Sequence, residues 1–115
     1  MSGPEYGLND VKTAARRLNI EYRGRIVQRD INNLGYELVD VAQCVMRLSV
    51  DDHRHSICYE DRPTDDVYMC TFTRVGNEES GSDNLYIKFC LVDFRITCWG
   101  STWQAANTVV SQQSG

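Results

Sequence analysis

The chain has 115 residues and a formal net charge of −4 at neutral pH, with 42% hydrophobic and 24% charged residues. That is one domain with room for a real core, and the balance excludes a chain that is disordered over most of its length. No apolar run approaches the roughly 20 residues of a membrane span, and the net acidity taken alone argues against a protein devoted to nucleic acid. The charge is uneven: residues 1–29 carry six basic and three acidic side chains, whereas the remainder carries six basic and thirteen acidic ones. A basic N-terminal third can meet a phosphate or an acidic partner, or simply form a solvated helix face.

Residues 1–8, with Gly3, Pro4 and Gly7, read as a loose arm with no secretory h-region. Asn9 or Asp10 then caps a helix expected over 10–19, with Val11, Ala14, Ala15 and Leu18 on one face. Gly24 breaks the chain, and a second helix is expected over 25–33, stopping near Asn33 and Gly35. The strongest helical pattern covers 37–48, where Leu38, Val41, Ala42, Val45 and Leu48 share a face. Ser49 and Asp52 mark one more short turn.

After residue 55 the period changes to two. Strands are expected near 56–59, 67–74, 84–92 and 94–99. Gly76 to Asn84 is a polar hairpin loop, Asp93 occupies a tight turn, and the tail from about 104 is loose. Helices first and a meander second make a single α+β domain, with N-terminal helices packed on a curved antiparallel sheet.

Five cysteines with no C-x-x-C and no signal sequence point to reduced thiols in a cytoplasm, mostly as small apolar fillers. A zinc site is not expected, and nothing in the sequence singles out one thiol for nucleophilic work. His53-x-His55 is a pair that could touch a metal, although a third ligand is not evident; a lone imidazole serves better as an acid or base. Glu60, Asp61, Asp65 and Asp66 could hold a divalent cation or serve as turn residues around Pro63.

Alternation carries the most specific expectation. If Leu85, Ile87, Phe89 and Leu91 face the core, Tyr86 and Lys88 lie together on the open side. On the next strand Arg95, Thr97 and Trp99 alternate with core-like Phe94, Ile96 and Cys98. A tyrosine, two cations and an indole on one sheet face suit RNA: cations hold phosphate and rings stack on bases. The plain alternative is a solvated sheet face.

These residues also carry a resemblance. LGYELVDVAQCVMRLSVDDHRHS, from Leu34 to Ser56, then Asp66-Val67-Tyr68 and Leu85-Tyr86-Ile87-Lys88-Phe89, follow in order and spacing the motifs of the MqsR toxins, the motility quorum-sensing regulator family. With Val11-Lys12 upstream, the resemblance covers about residues 11–100. It implies a RelE-like α+β ribonuclease that cleaves single-stranded mRNA without a ribosome or metal, and that a cognate antitoxin protein neutralises. The implied chemistry is attack by a ribose 2′-OH on the adjacent phosphate.

Carried across, the family's active-site tyrosine falls on Tyr86, and its lysine after the short turn falls on His55. Its glutamine before D-V-Y falls on Asp65, its arginine after that motif on Met69, and its late lysine on Gly100. Two cations are thus missing and one carboxylate is gained. Arg62, Arg74 and Arg95 are the candidates to replace them.

Two functions follow. One is a ribonuclease toxin with His55 and Tyr86 as the acid–base pair, no cofactor, and Lys88, Arg95, Arg62, Trp99 and Asp65 at the substrate. The other is a diverged relative that keeps the fold and works as a protein-binding module.

Overall fold

A computed structural model describes residues 3–74, 81–99 and 103–105. Three helices, α1 (Leu8–Arg16), α2 (Arg25–Leu34) and α3 (Leu38–Met46), lie against one face of a six-stranded sheet. The strands are β1 (Ile20–Arg23), β2 (His53–Ile57), β3 (Asp65–Phe72), β4 (Asp83–Val92), β5 (Arg95–Trp99) and β6 (Trp103–Ala105). No helix among the described residues is long and apolar enough to cross a membrane.

The strand order is β1-β5-β4-β3-β2, and β6 also pairs with β4. The antiparallel meander of the sequence reading is present as β2 to β5. The sheet as a whole is mixed, however, because β1 runs parallel to β5, with Ile20 opposite Ile96 and Tyr22 opposite Cys98. β1 was not expected as a strand at all. It has four residues, too few for a period to show, and its partner lies more than seventy residues downstream.

The helical side of the sheet is the core. Tyr68 and Phe72 of β3, Leu85, Ile87 and Phe89 of β4, Ile96 and Cys98 of β5, and Trp103 of β6 meet Val11, Ala14 and Ala15 of α1, Val27 and Ile31 of α2, and Val41, Cys44 and Val45 of α3. Each fully buried aliphatic or aromatic side chain here contributes roughly 1.5–3 kcal/mol from area alone. The alternation read for β4 is correct. Phe94, expected in the core, is not: it is 76% exposed, because Asp93 and Phe94 both take positive φ and turn the hairpin there.

Chain ends of the helices follow local chemistry. α1 stops three residues early because Leu18 takes a left-handed φ of 58°. The Leu18 N–H then reaches the Ala15 carbonyl and the Asn19 N–H the Ala14 carbonyl, a Schellman closure made without glycine. α2 ends as expected at Gly35, with φ 74°. In α3 the Asp40 carboxylate accepts from the Glu37 N–H at 2.8 Å. The S-x-x-D signature is a 3-10 turn over Val50–Asp52, with Asp52 accepting from the Ser49 N–H.

The N-terminal arm is tied rather than loose at residues 5 and 6. The buried Asp66 carboxylate accepts from both the Glu5 and Tyr6 N–H groups, at 2.9 and 3.0 Å, and Tyr6 donates to the Thr64 carbonyl. Trp103, at the edge of the expected tail, is 1% exposed. The tail beyond residue 105, and most of the loop from Gly76 to Asn84, lie outside the described residues.

Candidate functional site

The face of the sheet away from the helices carries the residues singled out in the sequence. Register sets His55 of β2 opposite Val67 of β3, and Val67 opposite Lys88 of β4. These three form one row across adjacent strands, so about 10 Å separates the Cα atoms of His55 and Lys88. Tyr86 lies opposite Met69, one pair further along the same face. His55, Tyr86 and Lys88 are thus brought together by register.

The histidine pair is split. A bulge between His53 and His55 shifts the register by one, which puts the two rings on opposite faces. His53 packs edge-on against Tyr68, on the core side, at 5.4 Å. Its Nε2 lies 3.3 Å from Ser56 Oγ and 3.6 Å from Asp66 Oδ1. A serine, a histidine and a carboxylate therefore meet, but not as a nucleophile relay. One imidazole nitrogen faces both partners, and the serine proton goes straight to Asp66 at 2.5 Å, leaving the base with nothing to abstract. This set anchors the arm and the edge strand.

The four loop carboxylates do not converge either. Asp65 and Asp66 are consecutive in β3 and face opposite sides. Among the described residues no group of three His, Cys, Asp or Glu side chains is arranged to hold a metal ion.

Asp65, 1% exposed, sits under the loop that precedes β3. Tyr59 donates to its Oδ2 at 3.0 Å, and the Arg62 guanidinium lies 3.8 Å from the same oxygen. Oδ1 has no hydrogen-bond partner. Burial raises the Asp65 carboxyl above its ordinary range, and Tyr59, Arg62 and Lys88 offset part of that rise. Burial and then the Asp65 contact raise the Tyr59 hydroxyl in turn.

Arg62 stacks 4.0 Å over the Tyr59 ring and 4.9 Å from the Trp99 ring, while Arg23 of β1 lies 4.9 Å from that same indole. Two guanidiniums therefore lie against Trp99. Beside it a cleft of about 370 Å³ is lined by Glu21, Arg23, Pro63, Arg95, Thr97 and Trp99. Glu21 holds Arg23 at 3.3 Å and Arg95 at 3.7 Å, and Arg95 also donates to Asn19.

Of the substitute cations, Arg62 borders the His55–Lys88 row and Arg95 lines the neighbouring cleft. Arg74 does not reach this face. It follows Phe72 on the core side of β3, and Asp40 of α3 holds its guanidinium at 3.7 Å. Met69 occupies the face opposite Tyr86, and Gly100 lies outside the described residues. The sequence reading missed Tyr59 and Arg23. Tyr59-x-x-Arg62 before Pro63 was the signal for the first, and the alternation of Glu21 and Arg23 with Ile20 and Tyr22 the signal for the second.

The chain matches no protein-family model and no curated protein sequence.

Proposed function

We propose that this sheet face binds single-stranded RNA and cleaves it by internal transfer, so that the protein is a RelE-like ribonuclease toxin of the MqsR kind. The observation that carries this reading is the row His55–Val67–Lys88, with Tyr86 one pair away on the same face. An acid, a base and a cation on one rigid surface are the parts that 2′-OH attack requires. His55 and Tyr86 move the protons at the 2′ and 5′ oxygens, and Lys88 faces the charge that builds on the phosphorane. Trp99, with Arg23 and Arg62 in contact with its ring, adds an aromatic and cationic surface for an adjacent nucleotide. In this reading the enzyme acts in the cytoplasm, uses no cofactor, and is restrained by a protein antitoxin.

The test is incubation of the folded protein with a long single-stranded RNA in EDTA, with the 3′ ends mapped. Cleavage leaving 2′,3′-cyclic phosphate is expected. The variants His55→Ala and Tyr86→Phe should each lose about 10²–10⁴-fold in rate.

A second reading rests on a different observation. The cations nearest the row and cleft are already held, Arg62 by Asp65 and both Arg23 and Arg95 by Glu21. A face neutralised in this way also suits a protein partner. Intact RNA after incubation with folded protein overturns the ribonuclease reading and leaves the protein-binding module.

A further inference from the structure

On the core side of the sheet two thiols meet across the boundary between α3 and β3. Cys44 Sγ lies 3.8 Å from Cys70 Sγ, in S–H···S contact. Cys44 is 1% exposed, whereas Cys70 is only partly covered. A cleft of about 300 Å³ opens onto the pair between Arg47, Asp52, Thr71 and Phe72. The other cysteines offer no comparable contact: Cys90 and Cys98 are buried, and Cys58 is exposed on the loop before β3.

We propose that Cys44 and Cys70 form a reversible disulfide, with Cys70 as the thiol that meets the oxidant and Cys44 as the resolving thiol. Access assigns the roles: Cys70 is partly open to the cleft, whereas Cys44 is buried. The contact with Cys70 and burial together raise the Cys44 thiol above its ordinary range. The reaction partner is a peroxide. The Cys70 thiolate attacks one oxygen of hydrogen peroxide, so an S–O bond forms, the O–O bond breaks and hydroxide leaves. Cys44 then gives up its proton, and its sulfur attacks the Cys70 sulfur. The S–S bond forms, the S–O bond breaks, and the second hydroxide leaves with that proton as water. Two thiols lose two electrons and one peroxide becomes two waters.

A disulfide needs its sulfurs about 2.05 Å apart, so the strand and helix must close by less than 2 Å. The bond would pin α3 to β3 across a separation of 26 residues, constraining the unfolded chain. The face bearing His55, Tyr86 and Lys88 is on the other side of the sheet, so this device stands apart from the ribonuclease reading.

The experiment treats the full chain, carrying Cys58→Ser to silence the exposed thiol, with hydrogen peroxide. The intact mass should fall by two hydrogens, and a non-reducing peptide map should join the Cys44 and Cys70 peptides. Dithiothreitol should reverse both, and the oxidised form should melt roughly 5–10 °C higher. Adding Cys44→Ser should stop the mass loss and leave a sulfenic acid on Cys70 that dimedone traps. Should that variant not fold, Cys70→Ser serves instead and should leave Cys44 unmodified. A link to Cys90 or Cys98, oxygens gained on Cys44 or Cys70 in the Cys58→Ser protein, or no reaction at either cysteine overturns the proposal.

Discussion

Asp65 shows what one side chain does to this surface. It is buried, one oxygen has no partner, and burial raises its carboxyl above the ordinary value. A carboxyl whose folded pKa exceeds its unfolded value binds protons more tightly when folded. Its contribution is therefore fully present below the unfolded value, about 4, and is lost as pH rises through the raised folded value. Asp65 therefore supports the fold less at neutral pH than at pH 4. Asp65→Asn keeps an acceptor for the Tyr59 hydroxyl and removes the charge. It should raise the melting temperature at neutral pH, and the gain should shrink as pH falls toward 4. Thermal melts of both proteins across that range check this; a gain independent of pH would tie it to packing instead. Site legibility follows the same scale. Tyr86 and Lys88 were readable because strand alternation needs only neighbours. The division of His53 from His55 was not, since a one-residue bulge leaves no mark in an H-x-H pattern. The burial of Asp65 was not readable either, because Tyr59, Arg62 and the loop that carries them cover it only once folded.

At the scale of elements, the β4–β5 hairpin is closed by Asp93 and Phe94, with φ of 52° and 62°. Two consecutive positive values are the demand of a type I′ turn, which favours glycine at its second position. A left-handed phenylalanine costs roughly 1–2 kcal/mol, and at 76% exposure Phe94 recovers little of that by burial. Its carbonyl, which accepts from Asn19 at 2.8 Å, is backbone and survives substitution. Phe94→Gly should relieve the strain and lose about 0.5–1 kcal/mol to added freedom of the unfolded chain. A net gain of about 0.5–1 kcal/mol is expected, read as a higher urea midpoint at unchanged slope. Other element ends were legible where standard residues occupy them: Gly35 after α2, and Ser49 and Asp52 around the 3-10 turn. They were not where leucine and phenylalanine take conformations that glycine usually fills, at Leu18 and Phe94. β3 and β4 were legible from their period, whereas β1 exists as a strand only because β5 lies beside it.

For the whole molecule, the net charge of −4 opposes nucleic acid only on average. The open face and its cleft gather Arg23, Arg62, Lys88 and Arg95, and set Glu21, Asp65 and Asp93 among them. Glu21 and Asp65 act as built-in counterions. A phosphate arriving at Arg62 displaces Asp65 rather than a dissolved anion, and one arriving at Arg95 displaces Glu21. On the proposed ribonuclease reading, RNA binding on this face should therefore release few salt ions. With a local excess of about one positive charge, log Kd should rise with log salt at a slope of about 0.7, using 0.7 per neutralised phosphate for a single strand. Removing both carboxylates in the double variant Glu21→Gln, Asp65→Asn raises the local excess to about three charges, so the slope should steepen toward about 2.1. Affinity at low salt should rise as well. Fluorescence anisotropy of a labelled single-stranded RNA, titrated at several salt concentrations, measures both quantities. A wild-type slope already near 2.1, on the same 0.7 per phosphate, would show that the carboxylates do not compete with phosphate, and an unchanged slope in the double variant would place RNA elsewhere on the molecule.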